Sequence, residues 1–555
     1  MIKSVKEAVC KRLSLLVFIL IVMQPLLDVL SFFLGEMGSN ALSTLLRFGL
    51  LAVVALLGFI VSGKKRLYIV FYAAAGVFWA LHMANCFRIG YQSMVQDAAN
   101  FLRIVSFLVF TLSLITFFRQ GRQVRRAILL GFGVNFGLFW LFTLLPWVLG
   151  MPQYTYDKLF VGMMGWFSIP NAQSTIIVLT APFAIYWAYH TRKYPLFLIM
   201  CLLCFSMMFV TGTKLTFYSI FIIAGAYAFL FALQRGKSCL RYALPLLGVM
   251  VLVFVFRHQS PMELRERMSA YSRDLNNQKV EQSLQKNGGD KEALEEAQKK
   301  AQSSTKDKEK DKDKKKQPAA AERTMEQIHK GLFYVYTDSE TYGDFFKDMN
   351  ERFGVYRVMG AYRYSTSSGI LSDFRVMKSL FSQMVWEEKD FATRLLGYEY
   401  SEVVVGGTIY DLENDFPAIY YFFGYIGSAL YMLVFVYIAF VVIRAFLLDV
   451  ACGLKAAPFP REGDRKAKCL WGAKGFWQGF RQFLTVEMGA AGMSFLLAII
   501  AAQISGYVLR RPNVTIYFAV SAAYLFHLCV DMRRESLSAL RKAVLAKISL
   551  KRLLP

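Results

Sequence analysis

Long apolar runs, separated by short polar or basic stretches, follow one another along almost the whole chain. A helix rises 1.5 Å per residue, so about 20 apolar residues cross the ~30 Å hydrocarbon core of a bilayer. Runs of that kind fall at 13–35, 41–62, 67–87, 101–118, 127–150, 172–189, 195–212, 215–233, 241–256, 416–443, 484–508 and 514–531. The pattern predicts an all-α polytopic membrane protein of about twelve transmembrane helices. Between the ninth and tenth runs lies the one long polar stretch, 257–415. The chain thus divides into an N-terminal membrane region (1–256), this loop, a C-terminal membrane region (416–531) and a basic tail (532–555). Within the loop, 275–322 is charged and almost devoid of large apolar residues. Such a tract cannot bury enough surface to offset its ordering entropy, so it is expected to be disordered or a solvated helix. Further on, Ile370, Phe374, Met377, Phe381 and Met384 recur at helical spacing, predicting an amphipathic helix over 369–386.

Composition agrees with the pattern: 56% of the 555 residues are hydrophobic and 15% aromatic, more than a soluble chain of this length carries. The net charge of +25 is that of a nucleic-acid binder, but its distribution excludes that class. The cations cluster before the first span (Lys3, Lys6, Lys11, Arg12), at Lys64-Lys65-Arg66, Arg119 to Arg126, Arg192-Lys193, Arg235 to Arg241, Lys455 to Arg481 and Arg533 to Arg552. Counted through the spans, every cluster falls on one side. The positive-inside rule makes that side the cytoplasm, so both termini are expected inside and 257–415 outside. The first run is flanked like a signal peptide, yet it lacks a small-residue cleavage site and contains Pro25 and Asp28, so it is read as a retained helix.

The eight cysteines lie in spans or on the cytoplasmic side, and no disulfide framework is expected. Cys201 and Cys204 read as packing residues, and Asp311-Lys312-Asp313 matches a metal-binding DxD pattern only inside a Lys/Asp repeat. Neither a metal site nor a cofactor is expected.

Ionisable residues within spans are costly and therefore informative. Asp28, Arg47, Arg88 and Arg103 fall in the outer parts of the first four spans. Lys214 follows Thr211-Gly212-Thr213 at the outer turn between the seventh and eighth, and Glu413 and Asp415 precede the tenth. The positive-inside bias works against cations there, so either an anion at the outer headgroup level is expected for Arg47, Arg103 and Lys214, or Asp28 pairs with one of the arginines and the other cations reach lipid phosphates. In the loop, Arg375 and Lys378 stand off the apolar stripe of the amphipathic helix, and Arg352, Arg357 and Arg363 upstream are interleaved with Tyr356, Tyr362 and Tyr364, a mixture suited to sugar rings and phosphates.

These residues resemble the O-antigen ligase and polymerase family, which joins polyprenyl-diphosphate-linked glycans at the outer face of the bacterial inner membrane. The similar pieces are Gln24-Pro25-Leu26-Leu27-Asp28, Trp166-Phe167-Ser168-Ile169-Pro170-Asn171, Thr211-Gly212-Thr213-Lys214, Leu396-Gly397-Tyr398, and Glu413-Asn414-Asp415-Phe416 with Tyr425-Ile426-Gly427. Lys214 stands where the family has arginine or lysine after a small hydroxyl residue. Arg375, Arg363 or Arg357 stands for the loop arginine that the family uses on the diphosphate, although this chain reads Ser367-Ser368-Gly369-Ile370 where many relatives have arginine after the glycine. Ligase members carry a His-Asn pair where this chain has Glu413-Asn414, which inclines the resemblance toward a polymerase.

The resemblance implies metal-independent glycosyl transfer from an undecaprenyl-type diphosphate to an acceptor glycan or lipid-linked glycan, in the bacterial cytoplasmic membrane. Lys214, Arg47 and Arg103 with Arg357, Arg363 or Arg375 would hold the diphosphate, and Glu413 or Asp415 would take the acceptor proton. A lipid-linked oligosaccharide flippase is the alternative. It is disfavoured by the absence of an internal sequence repeat and by charges that lie near the outer face rather than the midplane.

Overall fold

The computed structural model describes residues 2–39, 41–234, 237–286, 294–295, 298–299, 329–337, 339, 342–405, 408–456 and 465–533. Asp311, Asp313 and the rest of the charged tract from 300 to 322, and the basic tail from 534, lie outside the described residues.

The protein is an all-α polytopic membrane protein. Among the described residues, eleven helices are long and apolar enough to cross a bilayer. They include α1 (Ile2–Glu36), α2 (Ala41–Val61), α3 (Lys65–Ile89), α4 (Met94–Gln120) and α5 (Val124–Val148). The sixth run of the sequence, not counted among the eleven, is α6 (Pro170–His190), followed by α7 (Tyr194–Thr211), α8 (Lys214–Leu233) and α9 (Lys237–Val255). A 3-10 turn, Phe256–Gln259, joins α9 to α10 (Pro261–Lys286). Asp415–Ala456, Val486–Ile504 and Pro512–Phe526 complete the apolar set. The one strand pair, Val404–Val405 with Thr408–Ile409, is antiparallel and two residues long.

The chain folds as two compact units: Met1–Ala80 with Ala98–Leu264 and Ser428–Pro555, and Leu81–Asp97 with Arg265–Gly427.

In the first unit α6 is the central helix. Every residue from Ala172 to Tyr186 is buried, against α5, α7, α8 and the helices Val486–Ile504 and Pro512–Phe526. A helix enclosed on all sides needs no amphipathic stripe. It carries Thr175 and Thr180, whose hydroxyls donate to the carbonyls of Asn171 (2.9 Å) and Ile176 (2.7 Å), so neither is left unpaired. Gly212 ends α7 at φ 71°, in the left-handed region where a glycine carries no steric cost. A Cβ there would fall 2.5 Å from that of Pro261.

The second unit is built around buried aromatic residues, among them Tyr336, Phe346, Phe381, Tyr398 and Tyr410. Of the two alternatives expected for the charged tract, residues 275–286 take the helical one, as the end of α10, where Val280 and Leu284 are buried and Asn277 Oδ1 accepts from Ser368 N at 2.9 Å. One sequence expectation needs correction here: the amphipathic helix starts later, as Phe374–Glu388. Asp373 adopts extended backbone and its carboxylate caps the helix by accepting from Arg375 N, 2.9 Å. Met377, Phe381 and Met384 therefore face the core, whereas Ile370 and Phe374 are exposed.

Gly397 and Gly424 pack backbone to backbone. Gly424 interrupts the Asp415–Ala456 helix at φ 63°, ψ −168°, and Gly397 has φ 90°. A Cβ on Gly397 would stand 2.1 Å from the Phe422 carbonyl oxygen, and one on Gly424 2.5 Å from that of Leu395. The contact fixes the stretch on either side of Glu413.

Candidate functional site: a carboxylate between two cations

The cap at Asp373 sets the phase of the Phe374–Glu388 helix and puts Arg375 and Lys378, three residues apart, on one face. Both reach Glu413: Arg375 Nε donates to Oε2 at 2.9 Å and Lys378 Nζ to Oε1 at 3.4 Å. The side chain of Glu413 keeps 17% of its surface exposed, so the triad borders solvent. One carboxylate thus bridges two cations, side chains of the kind that bind anions. Asp415, two residues on, opens the next helix and is fully enclosed.

Of the other loop arginines, Arg357 is engaged elsewhere. It donates to Glu388 (2.7 Å), Glu387 (3.3 Å) and the Met384 carbonyl (3.1 Å). Arg363 is exposed in a left-handed turn, φ 52°. Arg352 and Lys389 both bind Glu402, at 2.7 and 2.6 Å. Burial alone would raise the pKa of Glu402, but these two cations outweigh it and hold the carboxyl below its ordinary range.

In the first unit, Asp28 Oδ1 accepts from Arg47 Nη2 (2.7 Å) and Asn513 Nδ2 (3.0 Å), and Arg47 Nη2 also donates to Ser31 Oγ at 3.0 Å. Arg47 Nη1 and Asp28 Oδ2 are buried without a hydrogen-bond partner. Arg103 makes no ion pair among the described residues. Lys214 is the exposed first residue of α8. Thr213 caps that helix by accepting from Thr216 N (3.3 Å) and donates its hydroxyl to Ser174 of α6 (2.9 Å), which ties the turn to the core.

The structure thus brings Arg375 to Glu413 and Arg47 to Asp28, and it leaves Arg357 and Arg363 in other settings. Sequence reasoning passed over two cations, Arg510 and Arg511, but not Lys378. Lys378 was visible as a charge off the apolar stripe. Arg510, which is buried, and Arg511 sit in the turn between the last two spans, close to Asn513. Their signal was the one that singled out Lys214: cations in a short turn on the side that the positive-inside bias disfavours. Among the described residues, metal-type donors converge at His82, Cys86 and Asp97.

Fold and charges together define a multi-pass membrane protein with cation-flanked carboxylates at helix ends. The sequence matches the family described as O-antigen ligase like membrane protein over residues 11–351, and the chain belongs to that family. No curated protein and no solved structure matches it. Membership makes the protein a membrane enzyme of glycan ligation or polymerisation, of glycosyltransferase type, acting on lipid-linked glycan. Arg47, Arg103 and Lys214 lie inside the matched region, while Arg375, Glu413 and Asp415 lie beyond it.

Proposed function

We propose that the protein joins polyprenyl-diphosphate-linked glycan units at the outer face of the bacterial cytoplasmic membrane, as a metal-independent polymerase or ligase. An acceptor sugar hydroxyl attacks the anomeric carbon of the lipid-linked sugar. The bond from that carbon to the diphosphate oxygen breaks, the diphosphate leaves with the electron pair, and the hydroxyl proton passes to a carboxylate.

The observation that carries the reading is Glu413 held between Arg375 and Lys378. In the resting protein the carboxylate bridges the two cations. An arriving diphosphate carries more negative charge than one carboxylate and draws the cations to itself, which leaves Glu413 to accept the proton. Asp415 is enclosed, so Glu413 is the base and Asp415 supports the helix start. Lys214, Arg47 and Arg103 are assigned to the diphosphate. Arg47 has a buried donor with no partner, which a bound anion answers. Family membership does not favour the transporter alternative.

Two measurements test this. Cells lacking the chain should accumulate unconsumed lipid-linked glycan that the intact chain clears; an unchanged lipid pool contradicts the function. Single cysteines at Ser303 and Gly463 report the side: an impermeant thiol reagent should label Ser303→Cys and not Gly463→Cys in intact cells. The opposite pattern overturns the outer-face reading.

A further inference from the structure

We propose that His82, Cys86 and Asp97 bind a zinc ion that fastens residues 396–400 to the ends of α3 and α4. His82 and Cys86 stand four residues apart on one face of α3, and Asp97 lies in the first turn of α4. All three are enclosed, with 1%, 0% and 3% of their surface exposed. His82 Nε2 is 3.4 Å from Cys86 Sγ and 3.1 Å from Asp97 Oδ2. A tetrahedral zinc with bonds of about 2.0–2.3 Å, its fourth position taken by water, holds its ligand atoms about 3.3–3.7 Å apart, close to these two separations; all three donor atoms lie within 4.8 Å of one another.

The contact at Nδ1 is that of a metal-bound imidazole, and Nε2 faces the Asp97 carboxylate and the Cys86 thiol. His82 Nδ1 lies 2.9 Å from the Leu396 carbonyl oxygen. A carbonyl only accepts, which assigns the ring hydrogen to Nδ1 and, in the neutral ring, turns the Nε2 lone pair toward the thiol and the carboxylate. Metal-ligating histidines are oriented in this way by backbone carbonyls. Asp97 is oriented as well: Oδ2 accepts from the Tyr91 hydroxyl at 2.6 Å and Oδ1 from Tyr400 N at 3.2 Å. Imidazole, thiolate and carboxylate form a donor set suited to zinc, and the two anionic ligands cancel its charge, so the buried complex is neutral. Leu396 and Tyr400, the two loop residues bonded to the ligands, flank Gly397 and Tyr398. The ion's role is structural and distinct from the transfer step.

The test uses the full chain, purified in detergent under reducing conditions without chelator. After incubation with zinc, elemental analysis should find about one ion per chain. Cobalt in its place should give a thiolate-to-metal charge-transfer band in the near ultraviolet. Cys86→Ser and Asp97→Asn should lose the ion, and Cys86→Ser the band; zinc should raise the unfolding temperature of stripped wild type and not of Cys86→Ser. Should Cys86→Ser fail to accumulate, a chain keeping Cys86 as its one cysteine must still show the band. Wild type that takes up neither metal, a cobalt spectrum without the band, or a Cys86→Ser chain with its full ion overturns the proposal. The cluster is then an ion pair of protonated His82 with Asp97.

Discussion

Glu413→Gln separates chemistry from stability, because the structure makes the two effects differ in size. The substitution keeps the shape of the side chain and its capacity to accept hydrogen bonds, and removes its charge. Glu413 and Lys378 side chains are each 17% exposed and Arg375 is 41% exposed, so both ion pairs are partly solvated. Pairs of this kind contribute about 0.2–1 kcal/mol each, and losing both costs about 1 kcal/mol. A domain stable by about 5–15 kcal/mol remains folded after that loss. Removing a general base costs a factor of about 10²–10⁴ in rate, or roughly 3–5 kcal/mol in the barrier. The variant should therefore reach the membrane at near-normal abundance, unfold within a few degrees of wild type and consume lipid-linked glycan at least about a hundredfold more slowly. Single-turnover consumption of labelled lipid-linked glycan by equal amounts of purified protein measures the rate, and a thermal melt in detergent measures the stability. A rate within about threefold of wild type would refute the assignment of the base, as would a loss that merely tracks protein abundance.

Lys214→Ala should slow transfer by about 10²–10³ and Lys214→Arg by much less, because the charge and not the shape stabilises the leaving diphosphate; equal losses in the two variants argue against that role. Gly424→Ala should lower membrane abundance sharply, since a Cβ there meets the Leu395 carbonyl at 2.5 Å and the backbone has a positive φ. Normal abundance and normal thermal stability of Gly424→Ala would contradict the close backbone contact. Glu402 has its folded pKa lowered, so its contribution is fully present above its ordinary value near 4.5 and is lost as the pH falls through the lower folded value. Thermal midpoints measured downward from pH 5 should fall more steeply for wild type than for Glu402→Gln, and parallel curves contradict the pairing with Arg352 and Lys389.

The membrane architecture was legible because hydropathy over about 20 residues is a local property, and each span announces itself. The status of α6 was not legible: a helix enclosed on every face and one facing lipid both read as apolar runs. The interruption at Gly424 was hidden for a related reason, since hydropathy continues across it while the backbone turns to meet Gly397. At the candidate site the carboxylates and the set of loop arginines could be named from charge and order along the chain. Which of Arg357, Arg363 and Arg375 lies beside Glu413 depends on the cap at Asp373, which sets the helix phase and turns Arg375 and Lys378 to that carboxylate. The His82, Cys86 and Asp97 cluster escaped because its donors come from two helices and match no familiar zinc spacing.

The central claim is glycosyl transfer from a lipid diphosphate. The most direct measurement reconstitutes the purified chain in vesicles with polyprenyl-diphosphate-linked glycan and follows both the glycan and the lipid. The account predicts longer or acceptor-joined glycan together with an equal amount of released polyprenyl diphosphate, and neither product with Glu413→Gln. Intact lipid-linked glycan that crosses the bilayer, with no glycan lengthened and no diphosphate released, would contradict it.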